Sequence, residues 1–152
     1  MLARMARKRW CFFSLRREQK EEIVIAVDTN AWVRYVTNDD PVQARRAVKL
    51  LSAADTVFVP KTVLLELEWV LRAAYGLPRP AIMKAMLHIL GLPSVSVEQS
   101  GQVAHALDWY RNGLDFADAL HIAGCGTVES FHSFDTDLVR KGKKAGLPLS
   151  PA

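Results

Sequence analysis

Glu-Ile-Val-Ile-Ala-Val-Asp-Thr-Asn, residues 22–30, is the stretch whose reading decides the fold class. Its five consecutive apolar residues, Ile23 to Val27, end on a carboxylate, the pattern of a strand buried on both faces. Thr29 to Val36 then reads as a short helix, and Pro41 to Ala54 as a second one with proline at its first position. Thr56 to Val59 is a β-branched strand closed by Pro60, and Thr62 to Ala74 is helical. After a break at Gly76 to Pro80, the spacing predicts a helix over Ala81 to Leu90, a strand over Ser94 to Val97 and a helix over Glu98 to Trp109. Phe116 to Gly124 is a compact apolar helix, Ser130 to Phe134 a strand and Leu138 to Ala145 a basic helix, with an edge strand at Leu147 to Leu149. Strands alternating with helices predict an α/β domain with a mostly parallel sheet.

A length of 152 residues, 50% of them hydrophobic, suits one domain, which buries roughly 70% of the surface its unfolded chain exposes. The two cysteines, Cys11 and Cys125, make no CxxC and no Cys/His cluster, so neither a disulfide framework nor a zinc site is expected. Cys125 is read as a small buried apolar residue. No apolar run approaches the ~20 residues of a membrane span.

The net charge of +4 lies wholly in residues 1–22, which hold seven basic and three acidic side chains; residues 23–152 hold thirteen of each. The basic balance therefore belongs to an extension, and residues 23–152 form the domain. The extension has too short an apolar patch, Trp10 to Phe13, for a secretory signal. It is expected to be disordered or loosely helical, or else to serve as an RNA-binding or partner-binding arm, and the compartment to be the cytoplasm.

The position of the acids carries the chemistry. Asp28 follows the first strand directly and Asp135 follows the Phe131 to Phe134 strand. In one parallel sheet both would point into the crevice at its carboxyl edge, although each also suits a helix N-cap. Glu66 has Val63, Trp69 and Val70 three and four residues away, which predicts a carboxylate on a buried stripe and sends Glu68 to solvent. Asp115 and Asp118 are three apart and face one way on a helix. Arg34 lies six residues after Asp28 and Arg111 four before Asp115. Carboxylates ~4 Å apart repel by several kcal/mol at an intermediate dielectric, and a hard divalent cation removes the conflict.

Other catalytic constellations are missing. No GxSxG elbow, Walker A loop or GxGxxG follows a strand, and Gly124-Cys125-Gly126 follows a helix. His88, His105 and His121 fall within helices and His132 near a strand start, where none forms a ligand set. An aspartyl-phosphate enzyme would want an acid two residues after Asp28, where this chain has Asn30.

Four stretches, VDTNAWVRYVTNDDPVQA (27–44), VLLELEWVLR (63–72), LDFADALHIA (114–123) and SFDTDL (133–138), resemble in order and spacing the PIN-domain proteins, and within them the VapC-type ribonuclease toxins. The resemblance implies a PIN-like three-layer α/β/α fold with a central, mostly parallel sheet. It also implies a Mg2+- or Mn2+-dependent ribonuclease held in check by a cognate antitoxin. Carried over by residue, it implies catalytic roles for Asp28, Glu66, Asp118 and Asp135, with metal ligation by Asp28, Asp118, Asp115 and Glu66. Which of Asp115 and Asp118 is the main ligand stays open. Asn30 matches the polar partner that orients the first acid, and Arg34, Arg111 and Lys143 are candidate RNA-phosphate contacts. A homodimer is expected, as is an antitoxin segment anchored near Trp32, Tyr35 and Trp69. Similar proteins begin close to the first strand, so residues 1–22 are the departure.

Two other classes stay in view: a catalytically idle PIN-like binding module, and a metal-dependent phosphatase or DNA nuclease. Deleting residues 1–22 is expected to leave circular dichroism and metal-dependent cleavage intact while weakening salt-sensitive RNA retention. An insoluble truncation would make Trp10, Phe12 and Phe13 part of the core instead.

Overall fold

The computed structural model describes residues 21–152. The expectations for the extension as far as residue 20, including its aromatic patch, lie outside the described residues. The elements run β1 (Val24–Ala26), α1 (Thr29–Thr37), α2 (Pro41–Ala53), β2 (Thr56–Val59), α3 (Lys61–Ala73), α4 (Arg79–Leu90) and β3 (Val95–Val97). They continue as α5 (Ser100–Arg111), α6 (Phe116–Gly124), β4 (Phe131–Ser133), α7 (Thr136–Lys144) and β5 (Leu149–Pro151). The α/β alternation is the one the sequence predicts. The last strand starts two residues later than expected, because Gly146 at φ +76° turns the chain first.

All strand pairings among the described residues are parallel, but they form two ribbons. β1 pairs with β2 through Val24 and Thr56, and β2 with β3 through Val57 and Val95. β4 pairs with β5 through Phe131 and Leu149. This corrects two expectations. The strand at 23–27 is not buried on both faces: it lies at the edge of its ribbon, with Ile23 and Val24 half exposed. Asp28 and Asp135 likewise follow strands of different ribbons. An apolar run records a preference for burial; it does not say how many neighbours a strand will find.

The core lies between the three-stranded ribbon and the helices. α3 buries Leu64, Leu67 and Leu71, α4 buries Ile82, Met86 and Ile89, and α5 buries Val103, Ala106 and Tyr110, with Trp32 and Phe116 closing the cluster. Four helix starts are capped by aspartates, each in extended conformation and accepting from first-turn amides: Asp28 on α1, Asp40 on α2, Asp115 on α6 and Asp135 on α7. α1 ends on Asn38 in the left-handed region, at φ 52°, where asparagine is tolerated.

Leu67 is fully buried in this cluster. Leu67→Ala should cost about 2–5 kcal/mol, read as a lower denaturant midpoint at unchanged slope. A loss below 0.5 kcal/mol (about the size of an ordinary surface change) would mean that α3 is not packed as described.

Candidate functional site

Asp28 lies two residues past the end of β1 and caps α1, where its Oδ1 accepts from the Ala31 amide at 3.0 Å. With Asn30, Arg34, Gln43 and Arg46 it lines a hollow of about 360 Å3 between α1 and α2. Arg34 is bound inside this junction: it donates to the Asp39 carboxylate, and its Nε donates to Gln43 Oε1 at 3.0 Å. Tyr75 donates its hydroxyl to the same Asp39 at 2.7 Å. The Arg34 guanidinium, then the Tyr75 hydroxyl, hold the Asp39 carboxyl far below the usual carboxylate range. The arginine expected to meet RNA phosphate already serves this local pair.

Glu66 is tied to the first motif. The Thr29 hydroxyl, one residue after Asp28, donates to Glu66 Oε2. The two helix acids exchange the places expected of them. Glu66 is exposed, whereas Glu68 is buried at 2%. The buried stripe of α3 runs through Leu64, Leu67 and Leu71, and Glu68 lies four residues from the first and three from the last. The apolar neighbours of Glu66 flank that stripe, and Trp69 is 57% exposed.

Glu68 is fully engaged. Arg72 donates Nε to its Oε1 at 2.9 Å and Nη2 to its Oε2 at 3.4 Å, and the Tyr110 hydroxyl donates to Oε1 at 3.1 Å. Burial, then the Glu68 charge, pushes the Tyr110 phenol well above its ordinary value. The Arg79 guanidinium lies 4.5 Å from the Tyr110 ring centroid and donates to the Tyr110 carbonyl.

Across from α3 stands the start of α6. Asp115 caps it, with Oδ1 accepting from the Ala117 amide at 2.9 Å. A crevice of about 280 Å3 is lined from α3 by Thr62, Leu65, Glu66, Glu68, Trp69 and Arg72 and from the other side by Asp115 and Ala117. Asp118 is half buried in the first turn of α6. Its carboxyl is raised, by burial first and then by the charges of Asp115 and Asp135. Asp135 caps α7 through Oδ1, which accepts from the Asp137 and Leu138 amides at 2.9 and 3.0 Å.

The structure thus brings Glu66 and Asp115 into one crevice, links Glu66 to the Asp28 segment through Thr29, and sets Asp115 and Asp135 within electrostatic reach of Asp118. It does not gather all of them: among the described residues no three His, Cys, Asp or Glu side chains converge as a metal site. The fit to a hard divalent cation is one of donor chemistry: every candidate ligand is a carboxylate, and Asp118 is raised partly by two neighbouring anions.

Arg111 closes α5 beside Leu87, in hollows that none of these carboxylates lines, and Lys143 is exposed on the last turn of α7. Cys125 is exposed, against the expectation of burial; it follows the last turn of α6, where no neighbouring element covers it. His88 stacks on Tyr35 at 5.7 Å and His105 on Trp109 at 5.8 Å, both outside the acidic crevice. Sequence reasoning missed Arg72, the cation that does face these acids. Its four-residue spacing from Glu68 was the available signal.

A family profile for the PIN domain matches residues 25–144. No curated protein matches the chain. Among solved structures, VapC20 of Mycobacterium tuberculosis, described as a sarcin-ricin loop cleaving toxin, aligns with a TM-score of 0.40 at 21% identity, covering 82% of this chain and 95% of that one.

Because the folded Asp118 carboxyl is raised, the stability that depends on its protonated form is present at low pH and lost as pH rises through the folded value. Asp118→Asn should therefore melt higher than the parent at pH 7 in EDTA, with the difference shrinking toward pH 3. A variant that melts lower at pH 7 would make Asp118 a structural acid of α6.

Proposed function

We propose that this chain, which belongs to the PIN domain family, is a divalent-metal-dependent endoribonuclease and the toxin of a toxin–antitoxin pair. The observation that carries the reading is the crevice between α3 and α6 that Glu66 and Asp115 both line, with Asp115 and Asp135 in electrostatic reach of Asp118. Asp28, Glu66, Asp115 and Asp118 are the residues that would hold Mg2+ or Mn2+. When bound, the cation supplies charge for the phosphate oxygens and lowers the pKa of a water.

The chain's own groups have separable tasks. Thr29 donates to Glu66 Oε2, which fixes that carboxylate and leaves Oε1 to accept from an incoming water. Asp135, held at the start of α7 by two amides, is the second candidate for orienting the attacking water. Asn30 lies two residues beyond Asp28 in the same hollow and would orient its free oxygen. His121 lies one turn after Asp118 on α6 and within its electrostatic reach, but it lines neither hollow with the acids, and proton transfer is assigned to the carboxylates. Single-stranded or looped RNA suits the site, because its phosphates can be splayed toward a crevice. Arg111 and Lys143 line neither hollow that holds these acids, and any phosphate contact from them would lie outside the crevice.

A cognate antitoxin would mask the crevice by placing a basic side chain among these acids. The chain itself would pair as a two-fold dimer. No helix among the described residues is long and apolar enough to cross a membrane, and the proposed compartment is the cytoplasm.

The purified chain should cut single-stranded RNA in Mg2+ or Mn2+ and stop in excess EDTA. Asp28→Asn should lower the rate by about 100-fold while keeping the fold, because asparagine caps a helix as well as aspartate does. Undiminished cleavage in EDTA would remove the metal from the mechanism. Failure of the chain to cut any RNA, or to arrest growth when expressed alone, would remove the toxin reading.

A further inference from the structure

We propose that one face of α3 is a nucleotide cradle: Trp69 stacks on a base beside the scissile phosphate, and Arg72 donates to that phosphate's oxygens. The inference rests on the ribonuclease reading and names how its substrate is gripped. Glu66, Trp69 and Arg72 follow one another at intervals of three, so they run along one side of the helix. All three line the crevice that Asp115 closes from α6.

Trp69 is 57% exposed although the chain has an apolar core within one helical turn. Its surroundings mix apolar side chains with charges. Leu65, Glu66 and Arg72 all lie within one turn of it, and a nonpolar helix laid over the ring would have to strip water from both charges. A nucleotide asks for this mixture: a flat ring against its base and a cation for its phosphate. Base–aromatic stacking is sequence-tolerant and changes affinity by about 5- to 150-fold.

Arg72 answers an electrostatic difficulty of the site. Glu66 and Asp115 alone would repel a polyanion. The Arg72 guanidinium stands in the same crevice, and its pKa is raised by Glu68 first and by Asp115 among the lesser causes. Glu68 takes its Nε and Nη2, which leaves Nη1 for an incoming oxygen, and the side chain is still 49% exposed. Glu68 and Tyr110 thereby act as positioning residues: they set the plane of the fork before any ligand arrives.

The test uses the full chain and a fluorescein-labelled single-stranded RNA of about a dozen nucleotides. Binding is read by anisotropy in EDTA, and cleavage by initial rates in Mg2+ or Mn2+. Trp69→Ala should raise both Kd and KM about 10-fold with kcat within about twofold, and Trp69→Tyr should restore most of the loss. Because Arg72→Ala would leave Glu68 buried without its cation, the phosphate contact is tested as Glu68→Gln/Arg72→Ala against Glu68→Gln alone. The double variant should bind more weakly and lower the salt slope of log Kd by about one. If the parent binds and cuts RNA while Trp69→Ala matches it in Kd and KM, the cradle is wrong and the ribonuclease stands. If Trp69→Ala changes the sedimentation of the chain, leaving RNA binding as it was, the ring belongs to a protein interface and the cradle is overturned. If the parent neither binds nor cuts RNA, the functional reading fails and takes the cradle with it.

Discussion

The carboxylate of Glu68, buried at 2% among the leucines of α3, is the interaction on which the crevice depends. Removing a carboxylate of this kind from water costs several kcal/mol, so it persists only where its partners are fixed. One partner, Arg72, is on its own helix; the other, Tyr110, comes from α5. Tyr110 in turn meets Phe116 edge-on, with ring centroids 5.4 Å apart, and Phe116 is the first residue of α6. Phe116 directly follows Asp115. A single chain of contacts from Glu68 through Tyr110 to Phe116 therefore sets the distance between the helix that carries Glu66 and the helix start that carries Asp115.

That arrangement also explains which parts of the site were legible in the sequence. The strand ends and helix starts could be read because their signals are local: an apolar run closed by a carboxylate at Asp28, and a proline after Asp40. The exchange of roles between Glu66 and Glu68 could not be read from apolar neighbours alone. Val63, Trp69 and Val70 flank Glu66, but they border the core stripe without forming it. The register of Leu64, Leu67 and Leu71 decides the matter, and it places Glu68 inside. The division of the strands into two ribbons was also beyond a local reading, because pairing partners are set by tertiary packing.

Apart from Glu68 and Arg72, which line the crevice itself, the ion pairs of the fold stand away from its acids. Asp39 is satisfied by Arg34, Tyr75 and Thr37, and Asp137 by Lys141 and Arg140, all of them away from the crevice. Asp118 has the opposite surroundings, with burial and two anions against it and only His121 in its favour. A fold that supplies arginine and lysine to Asp39 and Asp137 has neither among the charges acting on this acid. Such an unbalanced site is a place where a bound cation would gain most, which is what the proposed metal-dependent activity would use.

The capping aspartates show that a structural role and the proposed catalytic one need not compete. Asp28, Asp115 and Asp135 each use Oδ1 to accept from an amide at a helix start. The cap fixes the side-chain torsions and aims the second oxygen away from the helix. A ligand oxygen held in this way has little rotamer freedom left to lose on binding, so more of the interaction energy goes to affinity. Substitution by alanine at these positions removes cap and ligand together, whereas asparagine keeps the cap and removes the charge. Only the second change separates what an aspartate does for its helix from what it does for the site.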